Sequence, residues 1–80
     1  MVASAYVLIN VEAGKAKQVY DALWQMEGTQ SVEAVLGPYD IIALVQGTDF
    51  PDIGSKVLNE IQQIQGVDRT LTCNIVKFEP

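Results

Sequence analysis

The stretch Leu36-Gly37-Pro38-Tyr39-Asp40 lies at the midpoint of the chain and decides how its two halves are joined. An apolar, strand-like run at residues 31–36 precedes it, and a second run at residues 41–46 follows it. The Gly-Pro step interrupts the apolar pattern as turn residues do, which predicts a β-hairpin. A hairpin turn does not require the Tyr-Asp pair at its end. These two side chains are therefore the first candidates for a functional site.

Strands are predicted on both sides of this turn and at the two ends of the chain. Residues 5–11 are rich in β-branched and aromatic side chains, and residues 41–46 are apolar on both faces. Residues 31–36 have one more polar face, and residues 67–78 alternate so that Thr70, Thr72 and Asn74 share one side. The sequence therefore predicts four strands.

Two amphipathic helices are predicted between these strands. Residues 15–26 and 51–64 each repeat apolar side chains at spacings of three and four. The Thr48-Asp49 step offers two residues that commonly cap a helix start. Gly28 and Gly66 follow the two segments, where glycine often ends a helix in a left-handed conformation.

The predicted order is β-α-β-β-α-β. Right-handed crossovers place both helices on the same face of one antiparallel sheet, which is the ferredoxin-like α+β fold. Eighty residues leave no room for a second domain, so residues 1–80 are predicted to form a single one.

The second face of this sheet poses a problem for a monomer. An exposed antiparallel face normally carries a polar residue at every second position, but Tyr6 and Leu8 alternate with the equally apolar Val7 and Ile9. A domain of this size is also only marginally stabilised by its own core. We therefore predict a homodimer in which two sheets pack face to face.

The composition excludes several functional classes. The chain carries five basic and ten acidic residues with a net charge of −5, and the basic residues are scattered, so direct nucleic-acid binding is not expected. There is no histidine, and no metal-ligand spacing, phosphate-binding loop or catalytic triad is visible, so no cofactor, metal or catalytic residue is predicted. No apolar run is long enough to span a membrane, and no signal peptide is visible.

Cys73 is the single cysteine and lies inside the last predicted strand, without a neighbouring cation. We interpret it as a buried structural thiol rather than a nucleophile. One unpaired cysteine and no export signal favour a reducing cytoplasm.

With this topology, three short motifs resemble the ligand-binding domain of the Lrp/AsnC family, also called the RAM domain (regulation of amino acid metabolism). They are the Gly37-Pro38-Tyr39-Asp40 turn, the Gly66-Val67 step that opens the last strand, and Thr70-Leu71-Thr72. The resemblance covers nearly the whole chain. Each motif is short, and their order and spacing together carry the resemblance.

The resemblance implies a function and an assembly. Such domains dimerise through their sheets, assemble into rings of four or five dimers, and bind amino acids at contacts between dimers. Regulators of the family carry a helix-turn-helix before this domain, whereas here the first strand follows Met1 almost at once. The expectation is a stand-alone domain without a helix-turn-helix. It would act in regulating amino-acid metabolism and would co-assemble with full-length regulators of the family.

The resemblance also implies five ligand-binding residues, which are Gly37, Tyr39, Asp40, Thr70 and Thr72. Asp40 could hold the ammonium group of an amino acid through charge-assisted hydrogen bonds, and Gly37 would allow close approach of the backbone. Tyr39 offers an apolar wall and a hydroxyl, and the two threonines offer hydroxyls on one side of a strand. A plain structural interpretation stays open, because Asp is common beside turns and Tyr and Thr are favoured in strands.

Two other functional classes share the topology. Small dimeric α/β barrels include monooxygenase-like enzymes, for which the candidate residues here would be Asp40, Tyr39 and Asn10. ACT-like domains also bind amino acids, but their glycine-rich turn follows the first strand, where this chain has only Gly14.

Overall fold

The computed structural model describes residues 2–79 of the chain. Six main elements follow one another, with a short 3-10 helix before the last strand. Their bounds are β1 (Ala3–Val11), α1 (Ala16–Gln25), β2 (Thr29–Ala34), β3 (Ile41–Gly47), α2 (Phe50–Asn59), the 3-10 helix (Ile61–Gln63) and β4 (Val67–Asn74). The predicted β-α-β-β-α-β order is confirmed.

The four strands form one sheet in the order β2-β3-β1-β4. Every neighbouring pair is antiparallel, so the architecture is the ferredoxin-like α+β fold that was predicted. β1 and β3 are the two central strands, and they supply most of the buried side chains that the sheet contributes to the core. β2 and β4 form the two edges.

The core lies between one face of the sheet and the two helices. Alternate residues of β1 and β3 point to this side and are buried against one face of each helix. The buried set is Ala5, Val7, Ile9, Val19, Leu23, Val32, Ile41, Ala43, Val45, Ile53, Val57 and Ile61. Full burial of a Val, Leu or Ile side chain contributes about 1.5–3 kcal/mol, which makes this layer the main source of stability within one chain.

Local signals set the start of α2 as predicted. The Asp49 carboxylate accepts a hydrogen bond from the Asp52 backbone N–H at 2.8 Å, and Asp52 in turn accepts from the Thr48 N–H at 2.9 Å. These bonds satisfy backbone donors that a helix start leaves free. Gly28 and Gly66 have φ angles of 93° and 104°, which favour glycine.

Three predicted element ends are wrong. β2 does not continue to residue 36 and ends at Ala34. α2 does not continue to residue 64, because Glu60 leaves helical geometry at φ −123° and the 3-10 turn that follows carries the fully buried Ile61 into the core. β4 does not continue to residue 78 and ends at Asn74. The adjacent strand β1 begins at Ala3, so beyond the hydrogen bond from the Ile75 N–H to the Ser4 carbonyl the tail has no strand beside it.

The prediction that Cys73 is buried is also wrong for the single chain, in which Cys73 is exposed. It lies on the edge strand β4, opposite Tyr6 of β1. Tyr6 points away from the helices, so Cys73 shares the uncovered side of the sheet.

This uncovered side, the open face, has an apolar centre. Cross-strand pairing places Tyr6 beside Leu44, Leu8 beside Ile42, and Leu71 beside Leu8. Tyr6 and Leu71 are 44% and 48% exposed. The two-sided apolar character predicted for β1 and β3 is thus confirmed, and it leaves a hydrophobic surface that the chain itself does not cover.

No helix within residues 2–79 is long and apolar enough to cross a bilayer.

Candidate functional site

The connection between β2 and β3 is a six-residue segment, residues 35–40, held at both ends by backbone hydrogen bonds. The Val35 N–H donates to the Asp40 carbonyl at 2.9 Å, and the Asp40 N–H donates to the Ile9 carbonyl at 3.0 Å. Asp40 therefore links β2 to β1 as well as opening β3. The turn lies at the end of the sheet where β1 ends and β4 begins.

The Asp40 side chain forms a hydrogen bond at the same end of the sheet. Its Oδ2 accepts a hydrogen bond from the Val11 backbone N–H at 2.9 Å, in a half-buried position. The pairing of β1 with β4 shifts register between Asn10 and Val11, which marks an irregularity in the ladder. One carboxylate oxygen of Asp40 thus accepts a hydrogen bond from a backbone N–H at the point where the strand pairing is irregular.

Asn10 fixes the other side of the turn. Its Nδ2 donates to the Pro38 carbonyl at 2.9 Å. The sequence suggests Asn10 only as a candidate for an enzymatic role, whereas the structure shows it bonded to the Gly-Pro step of the turn. The available signal was a polar side chain near the end of an otherwise apolar strand.

A surface cavity of about 340 Å³ lies between this turn and β4. It is lined by Asn10, Pro38, Tyr39, Arg69, Thr70 and Leu71. Two of the five predicted site residues, Tyr39 and Thr70, meet here, and both are half-buried. The residues around it carry an aromatic ring, hydroxyl groups, an amide and a guanidinium, which are groups that suit a small polar ligand.

Thr72 lies in a different place. Thr70 and Thr72 pair with Ile9 and Val7, so both belong to the helix-facing side of β4. Thr72 lines a groove of about 390 Å³ between α2 and β4, which Thr70 also borders. There the Thr70 Oγ1 accepts a hydrogen bond from Gln62 Nε2 at 2.9 Å. Thr70 also lines a third cavity of about 330 Å³ beside Gln62 and Arg69, so it borders three cavities, whereas Thr72 lines only the groove.

Gly37 and Asp40 line neither cavity. Gly37 is exposed at the tip of the turn, with nothing within 4 Å of the position that a Cβ would take. Within one chain, the five predicted residues are thus divided among the tip, the two cavities and the end of β1.

Arg69 and Gln62 are polar neighbours of the site that sequence reasoning did not select. Arg69 forms no ion pair within residues 2–79, where the one recorded salt bridge joins Lys17 and Asp21. Its position directly before the Thr-x-Thr motif was the signal available in the sequence.

Elsewhere in the described chain, neither the cavity at the opposite end of the sheet nor any group of acidic or cysteine side chains includes the predicted site residues. A larger cavity of about 500 Å³ lies at the opposite end of the sheet, near Ser4, Phe50 and Lys77, and contains none of them. In the described part of the chain, no three His, Cys, Asp or Glu side chains are grouped so as to hold a metal ion.

Several known proteins are similar to this chain. A structure of TTHA0845 from Thermus thermophilus superposes with a TM-score of 0.90 at 29% identity and covers 98% of both chains. An uncharacterized HTH-type transcriptional regulator of Pyrococcus furiosus is 28% identical over 72 residues, which are 86% of this chain and 48% of that protein. The chain therefore spans about half the length of the regulator that it matches.

The transcriptional regulator NMB0573 of Neisseria meningitidis, determined as a complex with L-Met, shares the fold. Its TM-score is 0.83 at 18% identity, and the match covers 94% of this chain and 50% of that protein. The sequence model of the Lrp/AsnC ligand binding domain matches residues 4–77, nearly the whole chain. This chain therefore belongs to the Lrp/AsnC family, as a ligand-binding domain.

Proposed function

We propose that this domain is a non-catalytic, amino-acid-binding assembly module that acts in transcriptional regulation of amino-acid metabolism. The observation that carries the proposal is the cavity between the Gly-Pro-Tyr-Asp turn and β4, in which Tyr39 and Thr70 meet. Family membership supports a regulatory rather than an enzymatic role. The L-Met complex of the neisserial regulator supports an amino acid as the ligand class, since that protein shares the fold.

The chemistry of the cavity supports this class of ligand. The Asn10 amide group is engaged with the Pro38 carbonyl, which leaves its Oδ1 as an acceptor for an ammonium group. The hydroxyls of Tyr39 and Thr70 are donors for a carboxylate. Asp40 keeps one carboxylate oxygen beyond its bond to Val11, and we retain it as a candidate partner of the ammonium group.

The division of the five predicted residues supports a shared site. Gly37 is at an exposed tip and Thr72 in a separate groove, so no single cavity of one chain holds the whole set. A neighbouring dimer that packs against this end of the sheet would bring a second group of these residues to the ligand. Assembly of the dimers into rings of four or five would create such contacts.

The dimer itself is proposed to form through the open face. Tyr6, Leu8, Ile42, Leu44 and Leu71 supply a contiguous apolar centre there, and burial of apolar area is the main drive for association. Regulators of the same family carry this fold in about half of their length. Co-assembly with such regulators through the same surface is therefore part of the proposal, together with residence in the cytoplasm, where they act.

Isothermal titration calorimetry with each of the common amino acids tests the ligand proposal. At least one should bind the wild type at millimolar concentration or below. Tyr39→Ala and Thr70→Val should weaken its binding about tenfold or more, because each removes a polar contact of about 1.5 kcal/mol. Thr48→Val is the matched control, since Thr48 lies at the opposite end of the sheet near α2. No heat from any amino acid, or equal affinity of Tyr39→Ala and wild type, would refute the proposed site.

A further inference from the structure

Two charged side chains of opposite sign occupy paired positions on the open face. Glu33 of β2 pairs with Ile42, and Arg69 of β4 pairs with Asn10. Both are exposed. The remaining paired positions of this face carry apolar or uncharged polar residues, and Asp68 falls at the register shift, without a ladder partner.

Glu33 and Arg69 cannot satisfy one another within a chain. Cross-strand pairs link Glu33, Ile42, Leu8 and Leu71 in a single row across the sheet. Three strand spacings amount to about 14 Å, and Arg69 lies a further two residues along β4. The two charges therefore stand on opposite edges of the open face, near the same end, and neither has an ion-pair partner in the described chain.

Two-fold packing of open face on open face has two simple orientations. If the axis runs roughly parallel to the strands, β2 of one copy lies over β4 of the other. The corresponding ends of the two sheets then lie over each other. Glu33 then lies over the partner's Leu71, and the partner's Arg69 is one row away, within reach of a long side chain. If the axis runs across the strands, each edge strand lies over its own copy with the ends exchanged.

The apolar centre does not distinguish these orientations. In the first, Tyr6 faces the partner's Leu44, and in the second it faces the partner's Leu8. The charges do distinguish them. The second orientation places Glu33 over the partner's Ser31 and Arg69 over the partner's Ile75, so both charges lose water without gaining a counter-charge, which is costly.

We propose that the open face docks on the open face of a second copy with the two-fold axis roughly parallel to the strands, so that Glu33 of each chain pairs with the partner's Arg69. The inference rests on the proposed dimer and adds its orientation and its choice of partner. The two symmetric pairs flank the apolar centre. Pairs at such a rim set register and disfavour wrong partners more than they add affinity.

Charge reversal followed by mixing tests this pairing. Glu33→Arg leaves two arginines on the face and Arg69→Glu leaves two acids, so each variant alone opposes like charges twice per dimer. The dimer dissociation constant from sedimentation equilibrium at low salt should rise about tenfold in each case. An equimolar mixture should form a heterodimer within about threefold of wild-type affinity, because both pairs are re-formed. The double variant E33R/R69E should recover as a homodimer for the same reason.

Glu60→Arg is the control, because Glu60 caps the end of α2, outside the sheet. Mixed with Arg69→Glu, it should form a heterodimer with one intact pair and one repulsion, weaker than the heterodimer of Glu33→Arg with Arg69→Glu. Glu60→Arg and Glu33→Arg change the net charge equally, so this difference separates a specific pair from a net-charge effect. The pairing is overturned if wild type is dimeric and the mixture stays as weak as its components, or if neither reversal weakens the dimer. A wild type that is monomeric at micromolar concentration overturns the proposed dimer and this inference together.

Discussion

The Oδ2 atom of Asp40 accepts a hydrogen bond from the backbone N–H of Val11 at 2.9 Å, across 29 positions of sequence. The bond ties the midpoint turn to the end of the first strand, beside the register shift between β1 and β4. Asp40, a predicted ligand-binding residue, thus has a structural role in the single chain. This structural role and the proposed ligand role separate experimentally, because the first changes stability and the second would change ligand affinity.

Asp40→Ala should lower the free energy of unfolding by about 1–2 kcal/mol, since it leaves the Val11 N–H without its charged acceptor. Asp40→Asn should lower it by less than half as much, because an amide oxygen still accepts the bond. Urea unfolding of both variants measures this difference. Unchanged stability of Asp40→Ala would show that water replaces the carboxylate at no cost.

A pair of glycine variants tests the backbone at two turns of the fold. Gly66 has φ +104°, and an added Cβ would lie 2.7 Å from the Lys15 Cβ and 3.1 Å from the Val19 Cγ2. Gly66→Ala should therefore destabilise the chain by about 2 kcal/mol or more. Gly37→Ala, where nothing lies within 4 Å, should change stability by less than about 0.5 kcal/mol. Thermal unfolding that ranks the two variants in the opposite order would contradict this account.

Two leucines test where the core ends. Leu23 on α1 is fully buried, whereas Leu36 in the β2–β3 connection is fully exposed. Leu23→Ala should cost about 2–5 kcal/mol, through lost burial and the cavity left behind. Leu36→Ala should stay within about 0.5 kcal/mol of wild type. Equal losses in chemical unfolding would mean that Leu36 is buried in solution, for instance against another copy.

The open face gives a test of association that spares the fold. Tyr6→Asp should shift a dimer to monomer in light scattering, because it places a charge at the apolar centre of the proposed interface. The single chain should stay folded by circular dichroism, since Tyr6 is already 44% exposed in it.

Leu58→Asp serves as the control for that variant. Leu58 is 59% exposed on α2, away from the open face, so its replacement should leave the oligomeric mass unchanged. A Tyr6→Asp variant with wild-type mass would place the interface elsewhere.

Only part of the candidate site could be predicted from the sequence. The Gly-Pro-Tyr-Asp turn and the Thr-x-Thr strand lie at the same end of the sheet, and Tyr39 and Thr70 line one cavity there. The separation of Thr72 was not foreseen, because it depends on which side of β4 faces the helices. Asn10 and Arg69 join the cavity through cross-strand pairing, which local patterns do not reveal.

By itself, the sequence determined the element order, the N-terminal cap of α2 and the left-handed glycines. These features depend on neighbours within a few residues, as in the bond from Asp52 to Asp49 and the φ angles of Gly28 and Gly66. Tertiary structure alone decided where α2 and β4 end, that Cys73 is exposed in the single chain, and that Asp40 is bound to Val11. The physical reason is that these outcomes depend on the space available in the core and on the strand that lies alongside, which distant parts of the chain supply.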